Sequence, residues 1–215
     1  MAIFVVGGGP AGIGAALAAA KHGAEVMLVE SDGGVGGELF SGMPILGAYT
    51  SLGKPCVAGV LDDIVGCCGE IDREACLGPV CDWRSVFGLC IDPEVLRLAI
   101  CRLLEKAGVR LLLKTAVIAA KMDGRRVRQL EVCSPGRVFA LDCDAVVDAT
   151  GGGFLTRLCG GEVVFGSEQG DFQPLSLTFR MTQVEYEAFL RFIREHPDEA
   201  LLSDNPVMEP DRRVA

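Results

Sequence analysis

Four short apolar runs, at residues 3–6, 26–29, 109–113 and 145–149, recur along the chain. Runs of this length, bounded by glycine or polar residues, are typical of strands buried on both faces of a parallel sheet. The pattern therefore predicts a parallel sheet, to which the fourth run returns as a central strand.

Helical patterns separate these runs. Residues 11–22 are rich in alanine and precede a glycine that suits a C-cap. The dipeptide Asp92-Pro93 provides an N-cap and a first helical residue, and predicts a helix that ends at Ala107. Residues 57–66 predict a short helix, whereas the rest of the segment 38–91 reads as irregular, with a cysteine-containing loop. Strands that alternate with helices indicate an α/β fold.

Residues 115–142 have a different pattern. Two turn signals, Asp123-Gly124 and Pro135-Gly136, lie between strand-like runs. This spacing predicts a three-stranded antiparallel β-meander inserted before the last parallel strand.

The C-terminal part combines an alternating run with a helical one. Residues 173–181 alternate strictly between apolar and polar side chains, which predicts a strand with one face on a core. Thr182 and Glu185 have capping-box spacing, which predicts a helix to about Glu195.

The first apolar run leads into the sequence Gly7-Gly8-Gly9-Pro10-Ala11-Gly12. Gly7 permits a tight turn, Gly9 lets backbone N–H groups approach a pyrophosphate, and Gly12 lets the helix pack closely on the sheet. Pro10 and Ala11 begin the helix, whose N-terminus offers N–H donors and a positive dipole end to phosphates. A structural glycine turn without a ligand is the alternative.

The second apolar run ends in Glu30, which completes the layout of a dinucleotide-binding βαβ unit. A carboxylate at this position accepts hydrogen bonds from ribose hydroxyls and repels a 2′-phosphate, so FAD or NAD is favoured over NADP. The doublet Gly36-Gly37 follows in an E-x5-GG pattern, which favours FAD. A flexible glycine-rich loop is the alternative interpretation of the doublet.

Composition and charge narrow the class of protein. The 215 residues suffice for one dinucleotide-binding domain and little more. A net charge of -9 argues against a nucleic-acid partner, because phosphate backbones require a basic face. We expect no membrane partner and a cytoplasmic location, since no apolar run has the length of a membrane span and no leader is evident.

Ten cysteines in such a chain indicate a reducing compartment rather than a disulfide framework. Cys76 and Cys81 have the C-x4-C spacing of the redox-active pair in flavoprotein disulfide reductases, but they lie far beyond the Gly-Gly doublet that such a pair follows. No CxxC spacing occurs, and no metal site is expected. We interpret the cysteines of the stretch 67–90 as small, buried, apolar residues.

Together these motifs resemble bacterial FAD-dependent oxidoreductases of the glutathione-reductase-like FAD superfamily, distant relatives of fumarate reductase flavoproteins. The resemblance extends over nearly the whole chain. The motifs that carry it are residues 7–30, Gly36-Gly37, residues 42–47, Asp92-Pro93-Glu94, residues 148–151 and residues 173–181.

The resemblance implies an FAD site built from several segments. In this resemblance Gly7, Gly9 and Gly12 of the first turn hold the pyrophosphate, and Glu30 holds the ribose. Gly36, Gly37 and Ser41 hold the inner part of FAD. Val117 meets the adenine through its backbone, and Thr150 with Gly151 closes over the cofactor.

The resemblance also implies a Rossmann-like FAD-binding domain over residues 1–165 and the start of a substrate domain over residues 166–215. Family members are considerably longer, so the chain corresponds to their N-terminal part. Family members also continue the motif of residues 148–151 with Asp-Gly-Asp, whereas this chain has Gly152-Gly153-Phe154 and so lacks two acids beside the cofactor. We therefore expect a protein partner, or self-association, to complete the fold.

The implied function is hydride transfer between the flavin and an unidentified small organic substrate. Arg180 lies on the polar face of the alternating run and is a candidate for binding a substrate carboxylate; an exposed ion-pairing arginine is the alternative. No catalytic side chain is assigned, because the flavin carries the redox chemistry. A non-catalytic FAD-binding subunit, or a fragment active only in a complex, is the competing class.

Overall fold

The computed structural model describes residues 1–81, 86–173, 175, 177–179, 181–196 and 199. The strands in this part of the chain are β1 (Ala2–Val6), β2 (Glu25–Val29), β3 (Ile45–Leu46), β4 (Cys76–Cys81), β5 (Phe87–Ile91), β6 (Arg110–Leu112), β7 (Ala116–Asp123), β8 (Arg126–Ser134), β9 (Arg137–Asp142) and β10 (Ala145–Asp148). The α-helices are α1 (Pro10–Lys21), α2 (Val60–Ile71), α3 (Pro93–Lys106), α4 (Phe154–Leu158) and α5 (Tyr186–Glu195), with a short 3-10 helix at Gly37–Phe40.

The four apolar runs form the predicted parallel sheet, in the order β10-β1-β2-β6. Ile3 of β1 is paired with Val26 of β2 and with Ala145 of β10. The α/β class and the Rossmann-like arrangement are therefore confirmed. The prediction of a central β10 is wrong for the described residues, because this strand is at an edge of the sheet, where Val147 is 37% exposed.

The parallel sheet separates two apolar cores. Alternate residues of β1 point to opposite faces, so Val5 packs on one side and Phe4 and Val6 on the other. Burial of each large apolar side chain contributes about 1.5–3 kcal/mol, so both faces stabilise the sheet. The first core adds Ile13, Leu28, Cys68, Leu96, Ile100 and Leu104 from β2 and the helices; the second adds Val29, Val117, Leu130, Val132 and Leu155.

Helices α1 and α3 agree with their predicted bounds. Asp92 caps α3, since its Oδ1 accepts hydrogen bonds from the N–H groups of Glu94 at 2.8 Å and Val95 at 3.1 Å. After α1 the chain leaves the helix at Gly23, whose φ of 80° suits glycine. Local capping chemistry therefore defines both helices.

The segment 38–91 is more ordered than predicted. It contains α2 and a three-stranded antiparallel sheet in the order β3-β5-β4. The predicted helix over 57–66 begins later, at Val60, and continues beyond Gly66 because Cys67 and Cys68 pack into the first core. The cysteines are thus on α2 and on strands rather than in a loop. The strands escaped prediction because glycine and proline interrupt them.

The meander is confirmed. Strands β7, β8 and β9 form an antiparallel sheet in chain order. Gly124 and Gly136, with φ of 59° and 82°, occupy the two predicted turns. Leu130 and Val132 of β8 are fully buried and face the second core, so the meander covers one face of the parallel sheet.

The C-terminal part differs from its prediction. None of the described residues among 173–181 is in a strand, and Leu175 and Leu177 are 101% and 91% exposed. The predicted strand has no pairing strand in this part of the chain. Helix α5 begins after Glu185 rather than Thr182, without the predicted capping box, and none of its described residues is buried.

Candidate cofactor-binding site

The turn between β1 and α1 places three backbone segments in close contact. Gly7 has φ of 105°, and a Cβ there would lie 2.2 Å from the carbonyl oxygen of Ala149. A Cβ on Gly12 would lie 1.8 Å from the carbonyl oxygen of Gly7. Only glycine permits these approaches, so β1, α1 and the end of β10 meet at the carboxyl edge of the parallel sheet.

Gly9 faces open space. A Cβ built on this residue would meet no atom within 4 Å. The hydrogen bonds of α1 begin where the N–H of Ile13 donates to the carbonyl of Gly9 at 3.0 Å, so the N–H groups of Ala11 and Gly12 precede them. Pro10, at the first helical position, has no N–H to satisfy. Open backbone with N–H donors at a helix N-terminus fits a diphosphate.

The carboxylate of Glu30 lies beside this turn. It accepts hydrogen bonds from the N–H of Gly8, from the Ser31 hydroxyl at 2.9 Å and from the N–H of Asp32 at 2.8 Å. Partial burial raises the pKa of Glu30, but the hydrogen bonds outweigh burial and the net pKa is lower than usual. Glu30 is therefore a fixed anion and an acceptor suited to ribose hydroxyls.

The Gly-Gly doublet is attached to the same turn. The N–H of Gly36 donates to the carbonyl of Gly8 at 2.7 Å. A Cβ on Gly36 would lie 1.8 Å from the ring of Phe40, and a Cβ on Gly37 would lie 3.4 Å from the Cα of Gly9. The doublet therefore packs directly against the glycine turn rather than forming a free loop.

The remaining residues predicted for the cofactor site differ in their relation to the glycine turn and Glu30. Thr115 donates its N–H to the carbonyl of Glu30 at 2.9 Å, so β7 begins beside the acid, and Val117 is buried two residues later. The described hydrogen bonds of Ser41 are local, with Glu38 and Met43. Arg180 lies outside the described residues.

A carboxylate to which the sequence analysis assigned no role fixes the turn after β10. Asp148 Oδ1 accepts from the N–H and hydroxyl of Thr150 at 3.1 and 2.6 Å, and Oδ2 accepts from the N–H and hydroxyl of Thr156 at 2.7 and 2.6 Å. Burial raises its pKa, but these hydrogen bonds outweigh burial and lower it overall. The spacing Asp-x-Thr is the signal that could have identified this side chain.

The same turn lies against Gly7. A Cβ on Gly7 would approach the N–H of Thr150 to 3.0 Å. The Thr150 hydroxyl oxygen also accepts a hydrogen bond from the N–H of Phe154 at 2.8 Å, at the start of α4. Asp148 thus holds Thr150 and Gly151 next to the first glycine turn.

The cysteines do not form a redox pair of C-x4-C type. Cys76 and Cys81 are at opposite ends of β4, on the order of 15 Å apart by strand geometry, too far for a disulfide. Burial, together with neighbouring Cys76, raises the pKa of Cys68 to about 12, which leaves its thiol protonated. Within the described part of the chain no group of three or more His, Cys, Asp or Glu side chains could hold a metal.

The family model described as FAD dependent oxidoreductase matches residues 2–212. The chain belongs to this family. Its cofactor is FAD, and the resemblance inferred from the sequence is confirmed. A comparison with curated proteins gave no match.

Solved structures share the fold of this flavoprotein. THI4 of Thermovibrio ammonificans is 23% identical with a TM-score of 0.54, covering 77% of this chain and 66% of that chain. The aromatic hydroxylase CabE is 22% identical with a TM-score of 0.54, covering 74% and 33%. The anhydrotetracycline hydroxylase OxyS of Streptomyces rimosus is 21% identical with a TM-score of 0.51, covering 74% and 34%.

The chain corresponds to only part of the length of each of these structures. The chain spans about two thirds of the length of THI4 and about one third of the two hydroxylases. What the chain shares with these structures is the fold. Among the described residues, no helix is both long enough and apolar enough to cross a membrane.

Proposed function

We propose that this flavoprotein catalyses hydride transfer between FAD and a small organic substrate. The observation that carries the proposal is the pairing of the open Gly9 backbone with the hydrogen-bonded carboxylate of Glu30. These two features offer a place for a diphosphate and a place for a ribose at the carboxyl edge of one parallel sheet, where ligands of such sheets bind.

The family resemblance supports the following roles for the binding residues. Residues of the first turn and helix start hold the pyrophosphate, Glu30 holds the ribose, the doublet and Ser41 face the inner part of FAD, the backbone of Val117 faces the adenine, and the turn fixed by Asp148 closes the site. The proposed contacts are Gly7, Gly9, Pro10, Ala11, Gly12, Glu30, Gly36, Gly37, Ser41, Val117, Thr150 and Gly151.

When bound, FAD supplies the redox chemistry by exchanging hydride at its N5 atom. The N–H groups at the start of α1 then neutralise phosphate charge, and Glu30 fixes the orientation of the adenosine half. Asp148 keeps the turn at Thr150 rigid, which limits water around the inner half of the cofactor. A role for Arg180 toward a substrate carboxylate belongs to the same proposal.

We infer that residues 1–165 form the FAD-binding domain and that residues 166–215 begin the substrate domain. The exposed apolar side chains of this second part, such as Leu175, Leu177 and Phe179, support completion of the domain by another chain or by self-association. Buried free thiols such as Cys68 suit the reducing cytoplasm, where we place the protein.

The first experiment tests the diphosphate site with a pair of glycine variants. Gly9→Ala and Gly69→Ala both add a methyl group that meets no atom within 4 Å. We expect Gly9→Ala to bind FAD at least about tenfold more weakly, because the methyl group occupies the approach of the pyrophosphate. Gly69→Ala should bind FAD normally. Equal FAD affinity in both variants would contradict the placement of the pyrophosphate at Gly9.

The second experiment tests hydride transfer. The full chain is loaded with FAD and mixed anaerobically with a panel of alcohols and carboxylic acids, while the visible flavin absorbance is recorded. Light scattering after size exclusion reports self-association in the same samples. Bleaching by a panel member supports the proposed reaction; bound FAD that no panel member reduces, in any association state, counts against it.

A further inference from the structure

An apolar recess of about 290 Å³ lies beside the proposed cofactor site. Its walls come from α1, α2, α3, the 3-10 helix and the segments 45–48 and 57–58, and every lining residue is apolar or glycine. Two of them, Leu46 and Val57, are 52% and 46% exposed. The recess therefore presents apolar surface to solvent and offers no charged or polar side chain to a ligand.

One wall of the recess is shared with the proposed diphosphate site. Pro10, Ile13 and Gly14 of α1 line it, and Pro10 is the first residue of the helix whose N-terminus faces the pyrophosphate. Leu39, also in the wall, follows the Gly-Gly doublet by two residues. A molecule in the recess would thus be next to the residues that hold the cofactor.

The chemistry of the walls restricts the occupant. A charged group placed there would lose its hydration without gaining a hydrogen-bond partner from a side chain, whereas an apolar group would gain by leaving water. A dry apolar cavity of roughly 150 Å³ is enough to bind benzene. The recess is larger than that, so it has room for one ring with a small substituent.

We propose that the recess binds an uncharged, apolar part of the organic substrate, either an aromatic ring or a short hydrocarbon chain. The inference rests on the proposed function, since it assigns a chemical class to the substrate of that reaction. It also separates two roles: backbone N–H groups at the start of α1 hold phosphate, while the side of the same helix holds apolar substrate.

Two helical glycines provide a matched test. A Cβ on Gly14 or on Gly66 meets no atom within 4 Å, but only Gly14 lines the recess. We would measure binding of fluorobenzene by fluorine NMR in the FAD-loaded full chain and in the variants Gly14→Leu and Gly66→Leu. We expect saturable binding in the wild type and in Gly66→Leu, and binding weakened at least about tenfold in Gly14→Leu.

Parallel titration with FAD identifies the occupant. Unchanged FAD affinity in Gly14→Leu supports a substrate site, whereas a specific loss of FAD affinity would assign the recess to the cofactor and overturn the proposal. Equal fluorobenzene binding in Gly14→Leu and the wild type would also overturn it. If circular dichroism shows that Gly14→Leu does not fold, Ala58→Phe blocks the recess from an exposed lining position instead.

A different experimental result is expected if the proposed hydride transfer is wrong. In that case fluorobenzene would bind and Gly14→Leu would abolish its binding, while no compound in the substrate panel reduced the bound FAD. The apolar site would stand and the hydride-transfer reaction would not.

Discussion

The parallel-sheet region, residues 2–158, and the C-terminal region, residues 164–196, both carry apolar side chains at regular spacing, yet they use them differently. Leu130 in the meander is fully buried, whereas Leu177 in the alternating C-terminal run is 91% exposed. The difference lies in the neighbours, because β8 pairs with β7 and β9 while the C-terminal run has no pairing strand among the described residues. An alternating pattern thus indicates a strand only where another strand is available.

The prediction with the largest expected effect truncates one leucine side chain in each region. Leu130→Ala should lower the free energy of unfolding by about 2–5 kcal/mol, because it leaves a cavity under the meander. Leu177→Ala should change it by no more than about 0.5 kcal/mol, as for other exposed positions. Urea unfolding followed by circular dichroism measures both. A Leu177→Ala cost as large as that of Leu130→Ala would mean that the C-terminal region is packed in solution.

A second prediction concerns close backbone approach within the parallel-sheet region. Gly12→Ala should destabilise the fold by about 1–3 kcal/mol and weaken FAD binding, because its Cβ would lie 1.8 Å from the carbonyl oxygen of Gly7. Gly14→Ala, two residues along the same helix, should be neutral or stabilising by up to about 1 kcal/mol. Thermal unfolding with and without FAD gives both quantities. Equal effects at the two positions would show that the turn relaxes readily.

A third prediction concerns Asp148, the acid that fixes the turn after β10. Asp148→Asn should lower the free energy of unfolding at neutral pH by about 1–3 kcal/mol, because an amide cannot accept all four hydrogen bonds. Since the folded pKa of Asp148 is lowered, its contribution is present above the ordinary carboxyl pKa. The contribution disappears as the pH falls through the folded pKa. The variant and the wild type should therefore converge in acid.

Urea unfolding across this pH range measures the convergence. Asp171→Asn, in the C-terminal region, serves as the control and should match the wild type throughout. A constant gap between Asp148→Asn and the wild type down to strongly acidic pH would show that packing, rather than ionisation, is responsible.

The smallest expected effect concerns the acid at the end of β2. Glu30→Gln removes the charge and places an amide NH2 group against a hydrogen-bond donor, so FAD affinity and the free energy of unfolding without FAD should each fall by about 1 kcal/mol. Fluorescence titration with FAD measures the affinity. Glu168→Gln in the C-terminal region should leave affinity unchanged; a matching loss there would point to general charge rather than to a ribose contact.

Local signals explain which elements the sequence predicted. The capping residue Asp92, the turn glycines Gly124 and Gly136, and the apolar runs of the parallel sheet all act over a few neighbouring residues, and all were located correctly. The glycine turn was also found, because its mechanical roles depend on spacing alone.

Contacts between distant parts of the chain explain most of the features that the sequence did not predict. The sheet formed by β3, β5 and β4 pairs short segments that are far apart in sequence, and Gly78-Pro79 interrupts the pattern of β4. The edge position of β10 depends on strand order, which periodicity does not encode. Asp148 gave no signal in the apolar pattern: its contact with Thr150 is a local one that this pattern does not contain, and only the fold brings Thr156 to its second oxygen.

The peptide groups on either side of Gly8 have a consequence for the rate of cofactor binding. The N–H of Gly8 bonds the Glu30 carboxylate and its carbonyl accepts from Gly36, so this one residue connects the first turn, the end of β2 and the doublet. The loops beside the glycine turn, where we propose that the adenosine half of FAD binds, are therefore ordered by folding, and FAD does not have to order them when it binds. Association should accordingly be a single step whose rate is proportional to FAD concentration, without a slow loop-closing phase.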